Sequence, residues 1–319
     1  MLYDVIIVGA GPAGLTAAIY TSRRKLKTLI LSKGLSDQVS ETPHIENYPG
    51  FLKIEGFKLL QKFEEQVRDF GVEIIFEEVV EIKPKKKGFI LKTVTKKSYE
   101  AKVLILAFGK IPRTLEIPGE KEFTGKGVSY CATCDAPLYK NKTVAVIGGG
   151  NAALDATLLL SKIAKKVYLV HRRDEFRGFE SEVEKVKKRK NVELVLSHIA
   201  VEFKGNKVIK SMIVESKKTG KKHEIKVDGV FVEIGSVVKT DFVKDLVKLD
   251  KNGYIIVNKN CETSRPGVFA CGDVDNTPFK QIVVAAGEGA AAGLMAYNYL
   301  HGIKAEIIID WRKFKEIGK

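Results

Sequence analysis

A segment of predicted strand, glycine-rich turn and helix occurs twice in this chain of 319 residues. In the first copy, an apolar run at 4–8 leads into the turn Gly9-Ala10-Gly11-Pro12-Ala13-Gly14. In the second, a run at 143–147 leads through Gly148-Gly149-Gly150-Asn151-Ala152-Ala153 into a helix predicted to end near Lys165. Short apolar strands that alternate with helices are typical of parallel sheets covered on both faces. The repeat predicts an α/β fold with two Rossmann-like, three-layer ββα nucleotide-binding domains.

Composition excludes several classes of protein. The hydrophobic share is 45% and no long low-complexity tract occurs, so disorder is not predicted. Four cysteines are too few for a disulfide-stabilised scaffold. No apolar run reaches the roughly 18 residues of a membrane span, and the nearest candidate, 281–300, contains Glu288. Asp4 stands where a signal peptide would be basic, so we expect no membrane association and a cytoplasmic, reducing location.

The formal net charge is +15, from 54 Lys and Arg against 39 Asp and Glu. Basic runs at 83–87 and 185–190 resemble those of nucleic-acid-binding proteins. Acidic residues are interleaved nearby, however, and no aromatic residues alternate with the basic runs. We therefore predict no nucleic-acid partner, and we expect the charge to attract acidic proteins or anionic cofactors.

Two lysine-rich segments of alternating polarity, at 75–100 and 200–232, are predicted to be antiparallel insertions. Each is followed by an apolar strand that would return the chain to a parallel sheet. Linkers between domains are predicted at 110–113 and near 239–245.

Each glycine turn is predicted to hold a nucleotide pyrophosphate, because G-x-G-x-x-G after a strand lets the backbone approach phosphates at a helix N-terminus. The second turn has Ala153 as its third member. The residues after the next strand select the nucleotide, since arginines bind a 2′-phosphate and an acid binds a ribose hydroxyl. The second copy has His171-Arg172-Arg173 with Arg177 there, which predicts NADPH rather than NADH. The first copy has Ser32 and Lys33, without the expected acid.

A C-x-x-C pair, Cys131 and Cys134, stands just before the second copy and is followed by Asp135. This spacing allows a small disulfide ring, and Asp135 could transfer the proton that thiol exchange requires. A zinc site would need a second pair with similar spacing, which Cys261 and Cys271 do not provide, so we interpret those two as packing residues. Two nucleotide domains with a dithiol suggest an electron relay, and a flavin is suited to connect a hydride donor with a disulfide.

In the order and joint occurrence of its motifs, the chain resembles the low-molecular-weight thioredoxin reductase family over essentially its whole length. That family comprises FAD-dependent pyridine nucleotide-disulfide oxidoreductases of class II. The resemblance is carried by both glycine turns and by the segments 46–50, 131–135, 171–177, 266–273 and 280–289.

The resemblance implies an FAD domain formed by residues 1–113 and 244–319, with the NADPH domain, 114–243, inserted between them. It implies that electrons pass from NADPH through FAD to a Cys131–Cys134 disulfide and on to thioredoxin or a similar small disulfide protein. Cys134 would face the flavin, Cys131 would attack the partner, and Asp135 would be the acid/base. Family members are homodimers whose NADPH domain rotates.

The resemblance also implies the cofactor-binding residues. Asp273 would bond the ribityl chain, and 280–282 would begin a helix whose positive end faces the flavin ring. No metal site is implied. The expected FAD contacts are Gly9, Gly11, Pro12, Ala13, Gly14, Ser32, Gln38, Asn47, Val80, Gly109, Gly272, Asp273, Lys280, Gln281 and Ile282. The expected NADPH contacts are Gly148, Gly149, Gly150, Asn151, Ala152, Ala153, His171, Arg172, Arg173, Arg177 and Gly235.

The chain departs from the family pattern around the expected FAD site. Ser36-Asp37-Gln38 stands in place of Gly-Gly-Gln, and Phe108 replaces the threonine of Ala-Thr-Gly. Lys280 replaces an arginine, and Val237-Val238-Lys239-Thr240 lacks a proline. These changes affect fine contacts and the flavin potential rather than the identity of the cofactor.

Two other functions would use a similar scaffold. Ferredoxin–NADP reductases pass electrons elsewhere, but they lack the cysteine pair, and a nucleotide sensor without turnover would not need Cys131, Cys134 and Asp135. The identity of the electron acceptor stays open among thioredoxin, a glutaredoxin-like protein and a two-domain disulfide oxidoreductase.

Overall fold

The apolar runs of the sequence form the central strands of two sheets in the computed structural model. The structure describes residues 2–35, 37–40, 42 and 45–304, apart from the side chains of 37 and 38. The chain separates into two units. The first unit contains the described residues up to Lys110 and those from Val238 onward, and the second unit is Ile111–Val237.

The elements are numbered in chain order. The strands are β1 (Leu2–Ala10), β2 (Thr28–Leu35), β3 (Glu73–Ile75), β4 (Val79–Lys85), β5 (Gly88–Thr93), β6 (Ser98–Leu106), β7 (Ile111–Pro112), β8 (Val128–Ser129), β9 (Thr143–Gly148), β10 (Lys166–His171), β11 (Val192–Leu196), β12 (His198–Gly205), β13 (Ile209–Ser216), β14 (Lys222–Lys226), β15 (Gly229–Glu233), β16 (Ser236–Val237) and β17 (Val268–Ala270). The helices are α1 (Pro12–Arg23), α2 (Asp37–Ser40), α3 (Gly56–Asp69), α4 (Glu120–Phe123), α5 (Ala132–Asp135), α6 (Asn151–Leu160), α7 (Glu180–Lys187) and α8 (Ile282–His301), with 3₁₀ turns at Ala136–Tyr139, Asp241–Val243 and Gly272–Val274.

In the first unit, β1 lies between β2 and β6 and pairs with both in parallel, while β3 extends the sheet beyond β2. On the edge opposite β1, β6 pairs with two strands, one after the other along its length. Its first residues pair antiparallel with β5, and Leu104–Leu106 pair in parallel with β17. β4 and β5 are antiparallel, as predicted for the lysine-rich segment at 75–100. The unit therefore has three layers, with the antiparallel strands on one face of the parallel sheet and α1, α3 and α8 on the other.

The two parts of the first unit are joined by close contact between α1 and α8. A Cβ at Gly289 would overlap the Ala13 carbonyl oxygen, and a Cβ at Gly293 would lie 2.9 Å from the Ala17 carbonyl oxygen. Ala292 is fully buried on the same helix. Small residues let these helix backbones approach, so that α8 covers the sheet beside α1 and completes its core.

The second unit repeats this layering. Its parallel sheet has the strand order β11-β10-β9-β15-β8, and β12, β13 and β14 form a separate antiparallel sheet, as predicted for 200–232. α6 and α7 pack on the other face around Leu154, Leu160 and Phe231, which are fully buried. Both units thus have the predicted ββα arrangement.

The predicted linker near 239–245 is wrong. Val243 is fully buried in the first unit's core, and the Phe242 ring packs on Phe108 with centroids 4.9 Å apart. The predicted domain breaks, after Arg113 and after 243, also differ from the boundaries of the two units. β7 and β16 form a two-stranded ribbon that belongs to the second unit, so the unit boundaries lie at 110/111 and 237/238.

The second predicted helix is shorter than expected. α6 ends at Leu160 rather than near Lys165, because the next residues form a tight turn in which the Ala164 amide donates to the Leu160 carbonyl at 2.8 Å. The Asn191 side-chain amide donates to the carbonyls of Ser161 and Ala164, which holds that turn. Among the described helices, none is long and apolar enough to cross a membrane.

Candidate active site

The first glycine turn, Gly9–Gly14, connects β1 to α1. Gly9 has φ +114°, and a Cβ there would overlap the carbonyl of Ala107. A Cβ at Gly14 would overlap the Gly9 carbonyl. Gly11 is the N-cap of α1 and Pro12 its first residue, so the first-turn amides, which lack helical acceptors, face outward along the helix axis. This is the backbone geometry that a pyrophosphate requires, and the turn fits FAD.

The Ser32 hydroxyl ties the ends of β1 and β2 together. It accepts from the Ala10 amide at 3.1 Å and donates to the Gly34 carbonyl at 2.6 Å. Its contacts are therefore with the backbone that shapes the first glycine turn. Val80, on β4, is about half-exposed. The side chain of Gln38 lies outside the described residues.

Residues expected at the FAD site from both parts of the first unit lie together. The Asn47 side-chain amide donates to the Gln281 Oε1 at 3.0 Å, although the two are 234 positions apart. Gln281 is the N-cap of α8 and Ile282 its first residue, while Lys280 precedes the helix. Gly272 has φ +79°, and a Cβ there would lie 2.9 Å from the Ala13 Cβ. The segment 272–273 is thus held against the start of α1, and Gly109, also at positive φ, follows β6.

The sequence did not indicate a buried charged cluster beside this segment. Asp275 is fully buried, and its Oδ1 accepts from the Lys280 ammonium at 3.0 Å. Lys280 also donates to the carbonyls of Asp275, at 2.7 Å, and Gly272, at 3.3 Å. The Glu288 carboxylate accepts from the Gly272 amide at 2.8 Å, and burial together with the charge of Asp275 raises the Glu288 pKa. Lys280 therefore fixes the Gly272 turn from within the protein.

The second glycine turn, Gly148–Ala153, has the same geometry. Gly148 has φ +156°, and a Cβ there would overlap the Glu233 carbonyl and lie 2.7 Å from the Ala153 Cβ. Gly150 is the N-cap of α6, and nothing lies within 4 Å of a Cβ built on it. The start of α6 is therefore open to a ligand, and the turn fits a dinucleotide such as NADPH.

His171 lies under this turn. It is 7% exposed, its ring stacks on Phe176 at 5.4 Å, and a Cβ at Gly149 would overlap the ring. Burial lowers the His171 pKa, and the nearby Arg172 and Arg173 lower it further. The neutral ring supports the turn from below.

The segment after His171 folds over the start of α6. The Arg177 amide donates to the Gly149 carbonyl at 2.7 Å, and the Phe179 amide donates to the Asn151 side chain at 2.8 Å. Arg172, Arg173 and Arg177 are exposed beside the turn. Three exposed arginines thus follow β10, in the segment that folds over the start of α6. Gly235, at φ +94°, follows β15 in the same unit.

Cys131 and Cys134 form a disulfide in the second unit, with Cα atoms 5.4 Å apart. Cys131 is the N-cap of the short helix α5, and its Sγ accepts from the Cys134 amide at 3.0 Å. Cys134 is exposed, while Cys131 and Asp135 are half-buried. The disulfide is therefore accessible at Cys134, and Asp135 lies one residue from it.

Cys261 and Cys271 are free and buried in the first unit, as the packing interpretation predicts. Burial raises the pKa of Cys261 to about 12 and that of Cys271 well above its usual range. Neither thiol is suited to exchange chemistry. Across residues 45–304 and the described part before them, no cluster of three or more His, Cys, Asp or Glu side chains could hold a metal ion.

Comparisons with known proteins find similar sequences and structures. The family described as pyridine nucleotide-disulphide oxidoreductase matches residues 3–289. A thioredoxin reductase of Peptoclostridium litorale is 39% identical over 313 residues, which are 96% of this chain and 99% of the relative. The crystal structure of Lactococcus lactis thioredoxin reductase in its FR conformation has a TM-score of 0.84 and 38% identity, covering 94% of this chain and 100% of the other. That of T. acidophilum thioredoxin reductase has a TM-score of 0.81 and 37% identity, covering 95% and 99%.

Proposed function

The chain belongs to the pyridine nucleotide-disulphide oxidoreductase family and, within it, to the thioredoxin reductases, and we propose which of its residues carry out the electron transfer. It is a flavin-dependent oxidoreductase that transfers electrons from NADPH through FAD to the Cys131–Cys134 disulfide and on to thioredoxin or a similar small disulfide protein. One observation carries this function: an accessible Cys131–Cys134 disulfide in the unit that also contains the second glycine turn.

The first unit holds FAD in this proposal. The pyrophosphate lies at the first glycine turn, where Gly9 and Gly14 leave no room for side chains. The Asn47–Gln281 pair and Asp273 hold the rest of the cofactor, and Lys280 acts by fixing the Gly272 turn. Bound FAD supplies two-electron chemistry, because it accepts a hydride and can reduce a disulfide.

The second unit holds NADPH. Its pyrophosphate lies at the open start of α6, and Arg172, Arg173 and Arg177 bind the 2′-phosphate through charge-assisted hydrogen bonds. His171 contributes by supporting Gly149 rather than by its charge, since burial keeps the ring neutral.

The reduced cysteine pair carries out exchange in two steps. The Cys131 thiolate attacks a sulfur of the partner disulfide, so that a mixed disulfide forms and one partner thiolate leaves. The Cys134 thiolate then attacks Cys131 Sγ, which re-forms the Cys131–Cys134 disulfide and releases the second partner thiolate. The two leaving thiolates take up two protons. Asp135 transfers to one of them the proton that it removed from Cys134, and the other takes from solvent the proton that Cys131 had released on becoming a thiolate.

The test uses thioredoxin with one active-site cysteine replaced by serine and the other carrying thionitrobenzoate. With holoenzyme carrying Cys134→Ser, Cys131 should displace thionitrobenzoate and hold thioredoxin in a stable mixed disulfide, because the resolving thiol is absent. With Cys131→Ser, this release should be at least about tenfold slower, since the family resemblance assigns the attack on the partner to Cys131 and turns Cys134 toward the flavin. The double serine variant is the matched control for background release.

Thioredoxin reduction driven by NADPH should be lost in both single variants, while each still takes up FAD. Equal release by the two single variants would reject the assignment of Cys131 as the attacking thiol. A wild-type holoenzyme that oxidises NADPH but leaves thioredoxin oxidised would reject thioredoxin as the acceptor, and a glutaredoxin-like protein would be tested next.

We further propose that the enzyme is a cytoplasmic homodimer. The family resemblance supports the dimer, and two buried free thiols in a chain that also contains a redox disulfide suit a reducing compartment. Sedimentation equilibrium of the holoenzyme at micromolar concentration measures the assembly, and a mass near that of one 35.3 kDa chain would contradict the dimer.

A further inference from the structure

Glu120 is a buried carboxylate held by three hydrogen-bond donors. It is 4% exposed. One oxygen, Oε1, accepts from the Leu115 amide and from the Tyr130 hydroxyl, both at 2.8 Å, and Oε2 accepts from the Glu116 amide at 2.7 Å. A buried charge is stable when hydrogen bonds replace its lost hydration, and three donors do so here. Neither the nucleotide turns nor the thiol exchange uses this residue.

Two of the donors come from the segment by which the chain enters the second unit. That segment begins at β7 and is anchored by the Arg113 amide, which donates to the Gly235 carbonyl at 2.9 Å. Glu116 has φ +59°, a left-handed conformation that non-glycine residues rarely adopt. The two consecutive amides of Leu115 and Glu116 converge on one carboxylate, so Glu120 holds this turn in its unusual conformation.

The third donor leads to the redox pair. Tyr130 directly precedes Cys131, and burial together with its hydrogen bond to Glu120 raises the Tyr130 pKa to about 12. The phenol therefore remains protonated and continues to donate throughout the physiological pH range.

The backbone of Cys131 is held from the preceding strand as well. Its amide donates to the Ser129 hydroxyl at 3.0 Å, and the same hydroxyl donates to the Cys131 carbonyl at 3.2 Å. Ser129 is 6% exposed and lies on β8, which pairs with β15 of the parallel sheet. The Tyr130 side chain is thus fixed to Glu120, and the Ser129 hydroxyl fixes the Cys131 backbone to the end of β8.

We propose that Glu120, acting through Tyr130, is a positioning residue for the Cys131–Cys134 disulfide. The proposal deepens the proposed function, because it rests on the cycling of this pair between disulfide and dithiol. Fixing Cys131 in the conformation that closes the ring raises the effective concentration of each thiol toward the other. The disulfide is thereby favoured over the dithiol, and its reduction potential is lowered.

The experiment measures the exchange equilibrium of the holoenzyme with glutathione, in which the Cys131–Cys134 disulfide and two glutathione thiols give the dithiol and oxidised glutathione. The two forms are quantified by alkylation and mass spectrometry. Tyr130→Phe keeps the ring and removes the hydroxyl, so the equilibrium should move toward the dithiol by about three- to tenfold, and tenfold corresponds to about 30 mV. Tyr139→Phe, which removes a phenol hydroxyl from the turn after α5, is the matched control and should change the equilibrium less than twofold.

Glu120→Gln should move the equilibrium in the same direction, at least as far as Tyr130→Phe. The glutamine side chain has an NH₂ group in place of one carboxylate oxygen, and this donor would oppose an amide N–H of Leu115 or Glu116. A shift below threefold in Tyr130→Phe, or an equal shift in Tyr139→Phe, overturns the proposal even if Glu120→Gln does not fold. FAD content and the rate of NADPH oxidation are recorded for each variant. A wild-type enzyme that fails to reduce thioredoxin would reject the proposed function but leave this equilibrium measurable.

Discussion

Arg172 and Arg173 follow the end of β10 as exposed side chains, beside a histidine that burial keeps neutral. The positive charge at this end of the second glycine turn therefore comes from the guanidinium groups. In the first unit Ser32, whose hydroxyl is bonded to backbone groups, corresponds to His171, and the exposed Lys33 corresponds to Arg172. The two turns share their backbone geometry and differ in the residues that follow the next strand.

Replacing Arg172 and Arg173 together by alanine should raise the KM for NADPH well over tenfold and leave the KM for NADH nearly unchanged. Each charge-assisted bond to a 2′-phosphate contributes on the order of 1.5–3 kcal/mol, though not additively. Steady-state kinetics with both nucleotides measures the effect, and Arg189→Ala, an exposed arginine of the same unit, is the matched control. Equal losses with NADPH and NADH would show that these arginines do not recognise the phosphate.

Residues whose chemistry is visible in a short motif could be predicted from the sequence. The cysteine pair was predicted from spacing alone, and Asn47 and Gln281, each named through the family resemblance, lie within 3.0 Å of one another. Glu120 was missed because two of its three partners are backbone amides, which a sequence does not display. Asp275 was missed because its partner, Lys280, was expected to contact FAD.

At the scale of the element, the junction of α1 and α8 completes the first unit. A Cβ at Gly289 would overlap the Ala13 carbonyl, whereas nothing lies within 4 Å of a Cβ on Gly287 in the same helix. The contact is therefore confined to one face of α8. It also sets the position of the first glycine turn, because Ala13 belongs to that turn.

Gly289→Ala should destabilise the protein by about 1–3 kcal/mol, because the methyl group would overpack a helix contact made by backbone atoms. Gly287→Ala should be neutral or stabilising by up to about 1 kcal/mol, since alanine is the better helix former. Urea unfolding of the two holoenzymes measures the difference, and retained FAD is recorded on gel filtration. If both variants had the stability of the wild type, the α1–α8 contact would not limit the first unit.

The elements show which parts of a fold can be predicted from sequence. The central parallel strands β1, β6, β9 and β15 were predicted because each contains a continuous apolar run, whereas β3, β8, β11 and β17 were not predicted. The antiparallel insertions were predicted because their polarity alternates. The stretch 239–245 was misread as a linker, since its lysines and aspartates suggested exposure. Phe242 and Val243 pack into the first unit all the same, and local composition does not reveal a long-range contact of this kind.

For the whole molecule, the main electrostatic property is the formal net charge of +15. Charge of one sign raises the rate at which oppositely charged proteins associate, and salt screens this effect. The Debye length falls from about 30 Å at 0.01 M to about 8 Å at 0.15 M ionic strength.

We expect kcat/KM for an acidic thioredoxin to fall at least about threefold between these ionic strengths, at saturating NADPH, because association loses its electrostatic attraction. Hydroxyethyl disulfide, which is small and uncharged, is the control acceptor and should show little change. The initial rate of NADPH oxidation measures both. Parallel salt dependence for the two acceptors would mean that salt acts on the enzyme itself rather than on the encounter.

The insertion of Ile111–Val237 into the first unit also has a consequence for biosynthesis. When β6 leaves the ribosome, its edge at Leu104–Leu106 has no partner, because β17 lies beyond an insertion of 127 residues, from 111 to 237. At about 5–20 residues per second, translation of the insertion takes roughly 6–25 s, during which an apolar strand edge stays open. The second unit, by contrast, is continuous in sequence and can pair its strands as they emerge. We therefore expect nascent chains that stall after residue 237 to be bound by chaperones at the first unit, and chains released from the ribosome to need them no longer once β17 pairs with β6 and α8 packs on α1.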